Sequence, residues 1–321
     1  MKLIKSLAAA VLLSTVAAPA LAEYPDRPLT LYVAWGAGGG TDAVARVIAV
    51  GLEKELGQGV NVVNRTGGSG VVGHSAMASA DPDGYTIGLA TTEVNLMHWL
   101  GLTELDYTVY TPLALMNEDP AGVQVAADSE YQTVNELLEA IEESPAGTFL
   151  ATGSGQGSSW HVAIAGMLNA ADIDPSKVTW VPSDGAASGL QELLAGGTHI
   201  VPSSLVEARG LIEAGRVKSL AYMSSERSKL FPDVPTLLEE TGSDWEFGAW
   251  RGIVAPAGLP DDIRDRLVTA LDAVYQSEEY HEFMNAQGFG TRYMDGEGFG
   301  TFMETMDANF GETMKAIGLA E

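Results

Sequence analysis

The chain has no cysteine among its 321 residues. No disulfide can brace it, no thiolate can act as nucleophile, and no Cys-based metal site is available. An exported chain of this kind must be held by its core alone. Positive charge is also scarce. Seventeen Lys and Arg stand against 43 Asp and Glu, a formal net charge of −26. So acidic a surface disfavours nucleic acid and anionic lipid, and no nucleic-acid partner is expected. It also repels anionic ligands, so an anion site here must rest on local donors. The acids are scattered rather than run together, as on a solvated face. Low-complexity segments and short-period repeats are absent.

Several catalytic and cofactor signatures are missing too. The five histidines, His74, His98, His161, His199 and His281, show no metal-ligand spacing such as H-E-x-x-H. No Gly-Lys-Ser/Thr follows the first glycine loop, which excludes a P-loop, and its glycines do not meet the G-x-G-x-x-G dinucleotide spacing. Gly153-Ser154-Gly155 is not the G-x-S-x-G elbow of a hydrolase. Neither a metal nor a cofactor is expected.

What is present begins at the N-terminus. Met1, Lys2 and Lys5 open a short basic stretch, an apolar run follows through Leu12, Leu13 and Val16, and Ala20-Leu21-Ala22 ends it. This is the form of a cleaved secretory signal peptide, with cleavage expected after Ala22. The run is shorter than the roughly 20 apolar residues of a membrane span, and no later stretch is long enough. Without Lys2 and Lys5 the remaining charge is near −28. About 300 residues remain, enough for one large or two medium domains.

Residues 29–34, mostly apolar, read as a buried parallel strand. Gly36 to Gly40 form a tight loop. Thr41-Asp42 then open a helix with Val44, Ile48 and Leu52 on its apolar face. Strands follow at 60–63 and 85–90, with a glycine-rich turn and a short helix between them. This βαβαβ rhythm predicts an α/β fold with doubly wound sheets. It recurs: a strand at 148–152, a Gly/Ser loop, a helix over 159–169, strands at 178–181 and 217–223, and helices over 235–241 and 260–276. Two α/β units meet near residues 117–122 and again near 224–228. The expected division is a signal segment 1–22, a first lobe of 23–120 plus 225–321, and an inserted second lobe of 121–224. Two crossovers make a hinge, and ligands favour the cleft beside one.

Three strand-to-helix loops can hold an anion. In the first, Trp35 to Asp42, the backbone N–H groups of Ala37, Gly38 and Gly39 can converge at a helix N-terminus, with Thr41 and Asp42 beside them. The second, Thr152 to Ser159, adds the hydroxyls of Ser154, Ser158 and Ser159 to the backbone of Gln156 and Gly157, and His161 begins its helix. Neutral donors of this kind can hold a carboxylate without a buried cation. The third loop carries Asp184, as a helix cap or as an ordering group in the cleft. Thr91 and Thr92 at a strand end, Ser203, and Arg251 complete the candidate site residues. Arg251 is the residue type best suited to grip a carboxylate bidentately, or else a partner in an ion pair.

Taken in order, these stretches resemble the extracytoplasmic solute receptors of the tripartite tricarboxylate transporters, the TctC or Bug family. The resemblance is carried by Tyr24-Pro25-Asp26-Arg27-Pro28, Gly38-Gly39-Gly40-Thr41-Asp42 with Ala45-Arg46, and Val63-Asn64-Arg65-Thr66-Gly67-Gly68-Ser69-Gly70. Asp81-Pro82-Asp83-Gly84-Tyr85-Thr86, Gly153 to Ser159 with His161, and Gly185-Ala186-Ala187 extend it. Phe231-Pro232-Asp233-Val234-Pro235-Thr236 and Ala255-Pro256-Ala257-Gly258-Leu259-Pro260 complete it. The resemblance implies a two-lobed, type II-like periplasmic binding protein. It would be a non-enzymatic monomer that captures an organic acid and hands it to the large and small subunits of a membrane permease. Carried over, the ligand contacts are Ala37, Gly38, Thr41 and Asp42 in one lobe, and Thr152, Ser154, Ser158, Ser159 and Asp184 in the other. The chain departs from the family at Trp35-Gly36-Ala37, where aromatic and proline residues are usual, and at Arg251, an arginine many members lack. Two alternatives stand beside this: a sensor subunit that presents its ligand to a membrane kinase, and an exported serine hydrolase.

Overall fold

The structure, a computed structural model, describes residues 24–320. The expected signal segment, residues 1–22, lies outside the described residues. Among them, no helix is long and apolar enough to cross a membrane.

The first lobe is built on a six-stranded sheet. Strand β1 (Leu29–Val33) alternates buried and half-buried residues and leads into helix α1 (Gly40–Leu56). Val44, Ile48 and Leu52 of α1 are fully buried, as the apolar spacing predicts. Strand β2 (Val60–Asn64), helix α2 (Val71–Ala78) and strand β3 (Thr86–Thr91) complete a βαβαβ unit, with β2 and β3 parallel to β1 on either side. Strand β4 (Tyr110–Pro120) then runs the length of the sheet and carries the chain out of it.

The second lobe begins at Ala121. Strand β5 (Gly122–Ala126), helix α3 (Val134–Glu143), strand β6 (Phe149–Ala151) and helix α4 (Ser159–Ala170) come first. Strand β7 (Val178–Trp180), helix α5 (Ala186–Leu194), helix α6 (Leu205–Glu213) and strand β8 (Val217–Tyr222) follow. β5 pairs antiparallel with β8, and β6 parallel with β7. Single bridges from Gln124 to Val201 and from Ala151 to Ile200 join the two pairs. Helix α4 is buried nearly all round, so it is the central rod of this lobe.

The chain rejoins the six-stranded sheet at Gly248. Helix α7 (Leu237–Thr241) rests on α3, where Asn135 Nδ2 donates to the Glu240 carbonyl at 2.6 Å. The Trp245 ring lies against Gly166 of α4, leaving no room for a Cβ there. These contacts pack the stretch before Gly248 on α3 and α4. At the crossing, Ala121, Met223 and Phe247 lie side by side, joined by backbone hydrogen bonds of 2.8–3.2 Å.

Strand β9 (Gly248–Pro256) re-enters the sheet antiparallel between β3 and β4. Helices α8 (Asp261–Gln276) and α9 (Glu278–Gln287), strand β10 (Met294–Asp295) and helix α10 (Gly296–Ala316) finish the chain. The sheet order is β10-β4-β9-β3-β1-β2. The fold is α/β and two-lobed, with mixed sheets rather than purely parallel ones. Met314 and Ile317, at the end of α10, join the core around α4, so the C-terminus packs on the second lobe as well.

Helix α2 is pressed onto the end of β1. A Cβ on Gly73 would stand 2.5 Å from Ala34 Cα and 2.7 Å from the Arg65 carbonyl oxygen, both backbone atoms that cannot swing away. Gly73→Ala should therefore cost about 1–3 kcal/mol through overpacking and lower the thermal unfolding midpoint by several degrees. An unchanged midpoint would show that α2 has slack at this point.

Candidate functional site

The carboxyl ends of β1, β3, β6 and β7 all open on one cavity between the lobes, of about 220 Å³. This is where ligands bind in open α/β sheets. The size suits a small molecule, below the ~300–1,000 Å³ typical of drug-sized ligands. The first lobe contributes Trp35, Gly36, Ala37, Gly39 to Thr41, Thr91, Glu93 and Ala249 to Arg251. The second contributes Gly153, Ser154, Ser159, Trp160, Asp184 to Ser188 and Glu207.

Two helix N-termini face this space. The N-cap of α1 is Gly39 and that of α5 is Gly185, and neither end carries a side-chain cap. The first N–H groups of a helix have no partner within it. Among the described residues, no protein acceptor meets the N–H groups of Gly40 and Thr41, or those of Ala186, Ala187 and Ser188. Both ends thus present free donors and the positive pole of a helix to the cavity. Gly40 is closely approached by side chains from both lobes. A Cβ on it would meet Glu207 Oε1 at 2.9 Å and Arg251 Nη2 at 3.1 Å.

Arg251 is 2% exposed and its donors are largely committed. Nη1 bonds Asp119 Oδ2 at 2.5 Å and also Asn117 Oδ1, and Nε donates to Thr41 Oγ1 at 3.0 Å. Only Nη2 has no hydrogen bond, and it faces Glu207 Oε1 at 3.9 Å. Burial pushes the Glu207 carboxyl above its ordinary range, Arg251 pulls it down, and Asp119 adds to the rise. Arg251 is an ion-pair residue that also lines the cavity.

Glu93, which sequence reasoning passed over, sits at the centre. It follows β3 and is 3% exposed. Its Oε1 accepts the Ser159 N–H at 3.0 Å and the Ser159 hydroxyl, and its Oε2 accepts the Thr91 hydroxyl. Thr91 Oγ1 in turn accepts from Trp35 Nε1 at 3.1 Å. Glu93 makes no salt bridge among the described residues. Its carboxylate therefore caps α4 from across the cleft and binds both lobes. Buried His74 lies behind Thr91. Its Nε2 accepts the Thr91 N–H at 3.3 Å while Nδ1 stands 2.9 Å from the Gly70 carbonyl. Burial lowers its pKa, against the attraction of Glu93.

The sequence-predicted residues separate into two sets. Trp35, Ala37, Gly39, Thr41, Thr91, Ser154, Ser159, Asp184 and Arg251 line the cavity. The others surround it. The Gly38 N–H donates to Asp42 Oδ2 at 3.0 Å, and Asp42 also takes a bidentate pair from Arg46 and a bond from Asn64. Asp42 thus sits in the first turn of α1 but not at its cap. Burial opposes its ionisation, yet these bonds outweigh it and hold the carboxyl below the usual range. Thr92 Oγ1 accepts the Trp250 N–H at 3.0 Å. Ser203 is buried on Gln124, and Thr152 is buried behind the second loop. Ser158 Oγ meets Ser154 Oγ at 2.5 Å and the Gly155 carbonyl at 2.6 Å. Gln156 lines a neighbouring hollow with Ser69 and Asp184. Gly157 donates its N–H to His161 Nδ1 at 2.9 Å, and the His161 ring stacks on Trp180 with centroids 4.7 Å apart. Burial lowers the His161 pKa to about 4. Among the described residues no serine hydroxyl bonds a histidine nitrogen, the contact a serine hydrolase requires.

The missed residues had faint signals. Glu93 follows Thr91-Thr92, already marked as a strand end. Glu207 stands three residues after Ser204, a capping box that the structure forms. Trp160 and Trp250, which the sequence did not single out, are buried aromatics of the cavity wall.

The fold and this interlobe cleft define a two-lobed binding protein of the periplasmic type. Residues 44–319 match the model of the tripartite tricarboxylate transporter family receptor, TctC, and the chain belongs to that family. A UPF0065 protein from the tcbD-tcbE intergenic region of a Pseudomonas species is 30% identical over 293 residues, covering 90% of this chain and 86% of its own. BugT of Bordetella pertussis is 29% identical, covering 85% and 84%. Among solved structures, the periplasmic binding protein BugD superposes with a TM-score of 0.85 at 27% identity, covering 92% and 99%. Rpa4515 of Rhodopseudomonas palustris, solved with adipate, gives 0.86 at 26%, covering 93% and 99%. MatC of the same species, with bound malate, gives 0.82 at 25%, covering 90% and 99%.

Two outcomes follow from this geometry. Arg251→Met leaves Asp119 and Glu207 buried without their cation, which should cost about 3–5 kcal/mol in urea unfolding; a loss under about 1 kcal/mol would show the pair to be solvated. His161 stays neutral in the fold down to about pH 4, whereas in the unfolded chain it protonates below its ordinary 6.5. The unfolded state then binds more protons across that window, so stability present above pH 6.5 is lost as pH falls towards 4. The stability of His161→Gln should decline less steeply between pH 7 and pH 5 than that of the natural chain. Parallel curves would remove His161 from the account.

Proposed function

We propose that this chain is an exported periplasmic receptor that captures a small carboxylate between its lobes and delivers it to a tripartite-type membrane permease. It does so without chemistry. The observation that carries this reading is the pair of uncapped helix N-termini, α1 and α5, facing one small cavity from opposite lobes. Five backbone donors and two helix poles can receive a carboxylate's oxygens, a job no side-chain cation in the cavity is free to do. Similarity to proteins solved with malate and adipate supports a carboxylate.

We divide the chain into a signal segment, a first lobe of residues 23–120 plus 248–321, and an inserted lobe between them. The hinge lies at Pro120–Ala121 and Phe247–Gly248. Closure about it brings α1 and α5 together on the anion and excludes water, which strengthens the hydrogen bonds. A ligand favours the closed form only by as much as it contacts that form better. The working unit is a monomer that needs no cofactor, and its partners are the permease's large and small subunits.

A thermal-shift and calorimetric screen of small organic acids tests the reading. At a hundredfold excess over Kd, a ligand should stabilise the fold by about 2.7 kcal/mol. Ala186→Pro removes one donor at the first position of α5, where proline's fixed φ is tolerated. It should weaken that ligand at least about tenfold with the unliganded midpoint little changed. If no acid binds, or if Ala186→Pro binds as tightly as the natural chain, the helix N-termini are not the anion site.

A further inference from the structure

The charges around the cavity are unbalanced. Glu93, Asp184 and Glu207 line it, and Arg251 is its one basic side chain. Arg251 offers little to a ligand, because Asp119 neutralises it at 2.5 Å and Asn117 and Thr41 take two of its nitrogens. Its remaining nitrogen faces Glu207. Among the described residues the cavity therefore holds an excess of carboxylate and no free cation.

Glu93 decides what this means. The N-terminus of α4 is the third helix end at the cleft, and Glu93 already occupies it through Ser159 N–H and hydroxyl. A second ligand carboxylate cannot use those donors without displacing a side chain that is part of the fold, and would stand beside a like charge. Such a carboxylate is repelled at that end of the cavity, while the α1 and α5 ends remain open to one. A buried carboxylate with no cation partner has a desolvation cost that a ligand cation can offset. The walls suit one, since Trp35, Trp160 and Trp250 all line the same cavity and tryptophan is the best aromatic partner for a cation.

Building on the capture reading above, we infer that the ligand is a zwitterion: one carboxylate held at the α1 and α5 N-termini, and one cationic nitrogen selected by Glu93. The nitrogen is a protonated amine or a quaternary ammonium, two sources that share this chemistry. Glu93 thereby sets specificity against dicarboxylates of similar length.

The test is calorimetry on the full mature chain with three matched probe sets: α-amino acids, trimethylammonium carboxylates, and dicarboxylates including malate and adipate. The expected result is a member of one of the first two sets binding at least about tenfold tighter than any dicarboxylate. Which set supplies it identifies the nitrogen. Glu93→Gln, which keeps the side chain's shape, should weaken that zwitterion at least about tenfold and leave dicarboxylates unweakened or tighter. Tightest binding by a dicarboxylate to the natural chain overturns the inference on its own, even if the variant does not fold, and leaves the capture reading standing. Equal zwitterion affinity in the folded variant also overturns it. No binding from any set also overturns the inference, and the capture reading falls with it only if the wider organic-acid screen fails as well.

Discussion

The cleft is organised around one buried carboxylate. Glu93 leaves the end of β3 in the first lobe and accepts hydrogen bonds from Ser159 at the start of α4 in the second. On its own side it is held by Thr91, which is held by the Trp35 indole. The loop after β1, the end of β3 and the central helix of the inserted lobe are thus one hydrogen-bonded chain. A buried carboxylate without a cation is costly, and here three donors and a helix pole share that cost. The position of each lobe's ligand-facing loop depends on this contact.

The remainder of the site follows from how the chain handles charge. The overall field is strongly acidic, and the one arginine in the cavity is matched by Asp119. In the proposed reading, anion recognition falls to backbone amides at α1 and α5, which carry no net charge and need no buried counter-ion. The same arrangement leaves Glu93 as the group a ligand's other end must satisfy. In the inferred scheme, fold and specificity are joined at this residue, since the side chain that bonds Thr91 and Ser159 is also the one assigned to sort ligands.

Much of the first lobe was legible because its signals are local. The alternation in β1, the glycines after it and the spacing of Val44, Ile48 and Leu52 each depend on neighbours within a few positions. The strand-to-helix loops were legible for the same reason, and the structure brings Trp35, Thr41, Thr91, Ser154, Ser159 and Asp184 to one cavity. What escaped was tertiary. The packing of the stretch before Gly248 depends on Trp245 meeting Gly166 and on α7 resting on α3, contacts between segments distant in sequence. Arg251 read as either an anion grip or an ion-pair partner, because nothing nearby in sequence reveals Asp119 on the neighbouring strand. Glu207 carried a capping-box signal that accounts for its backbone bonds but not for its place on the cavity wall. Glu93 stood in a chain rich in acids, where one more carboxylate draws no notice.

The central claim is that a ligand's carboxylate enters between α1 and α5 while Glu93 keeps the N-terminus of α4. A crystal structure with the bound ligand measures this directly. The account predicts ligand carboxylate oxygens within hydrogen-bond reach of the N–H groups of residues 40–41 and 186–188, with Glu93 still on Ser159. A ligand carboxylate seated on the Ser159 N–H, with Glu93 turned away, would contradict it.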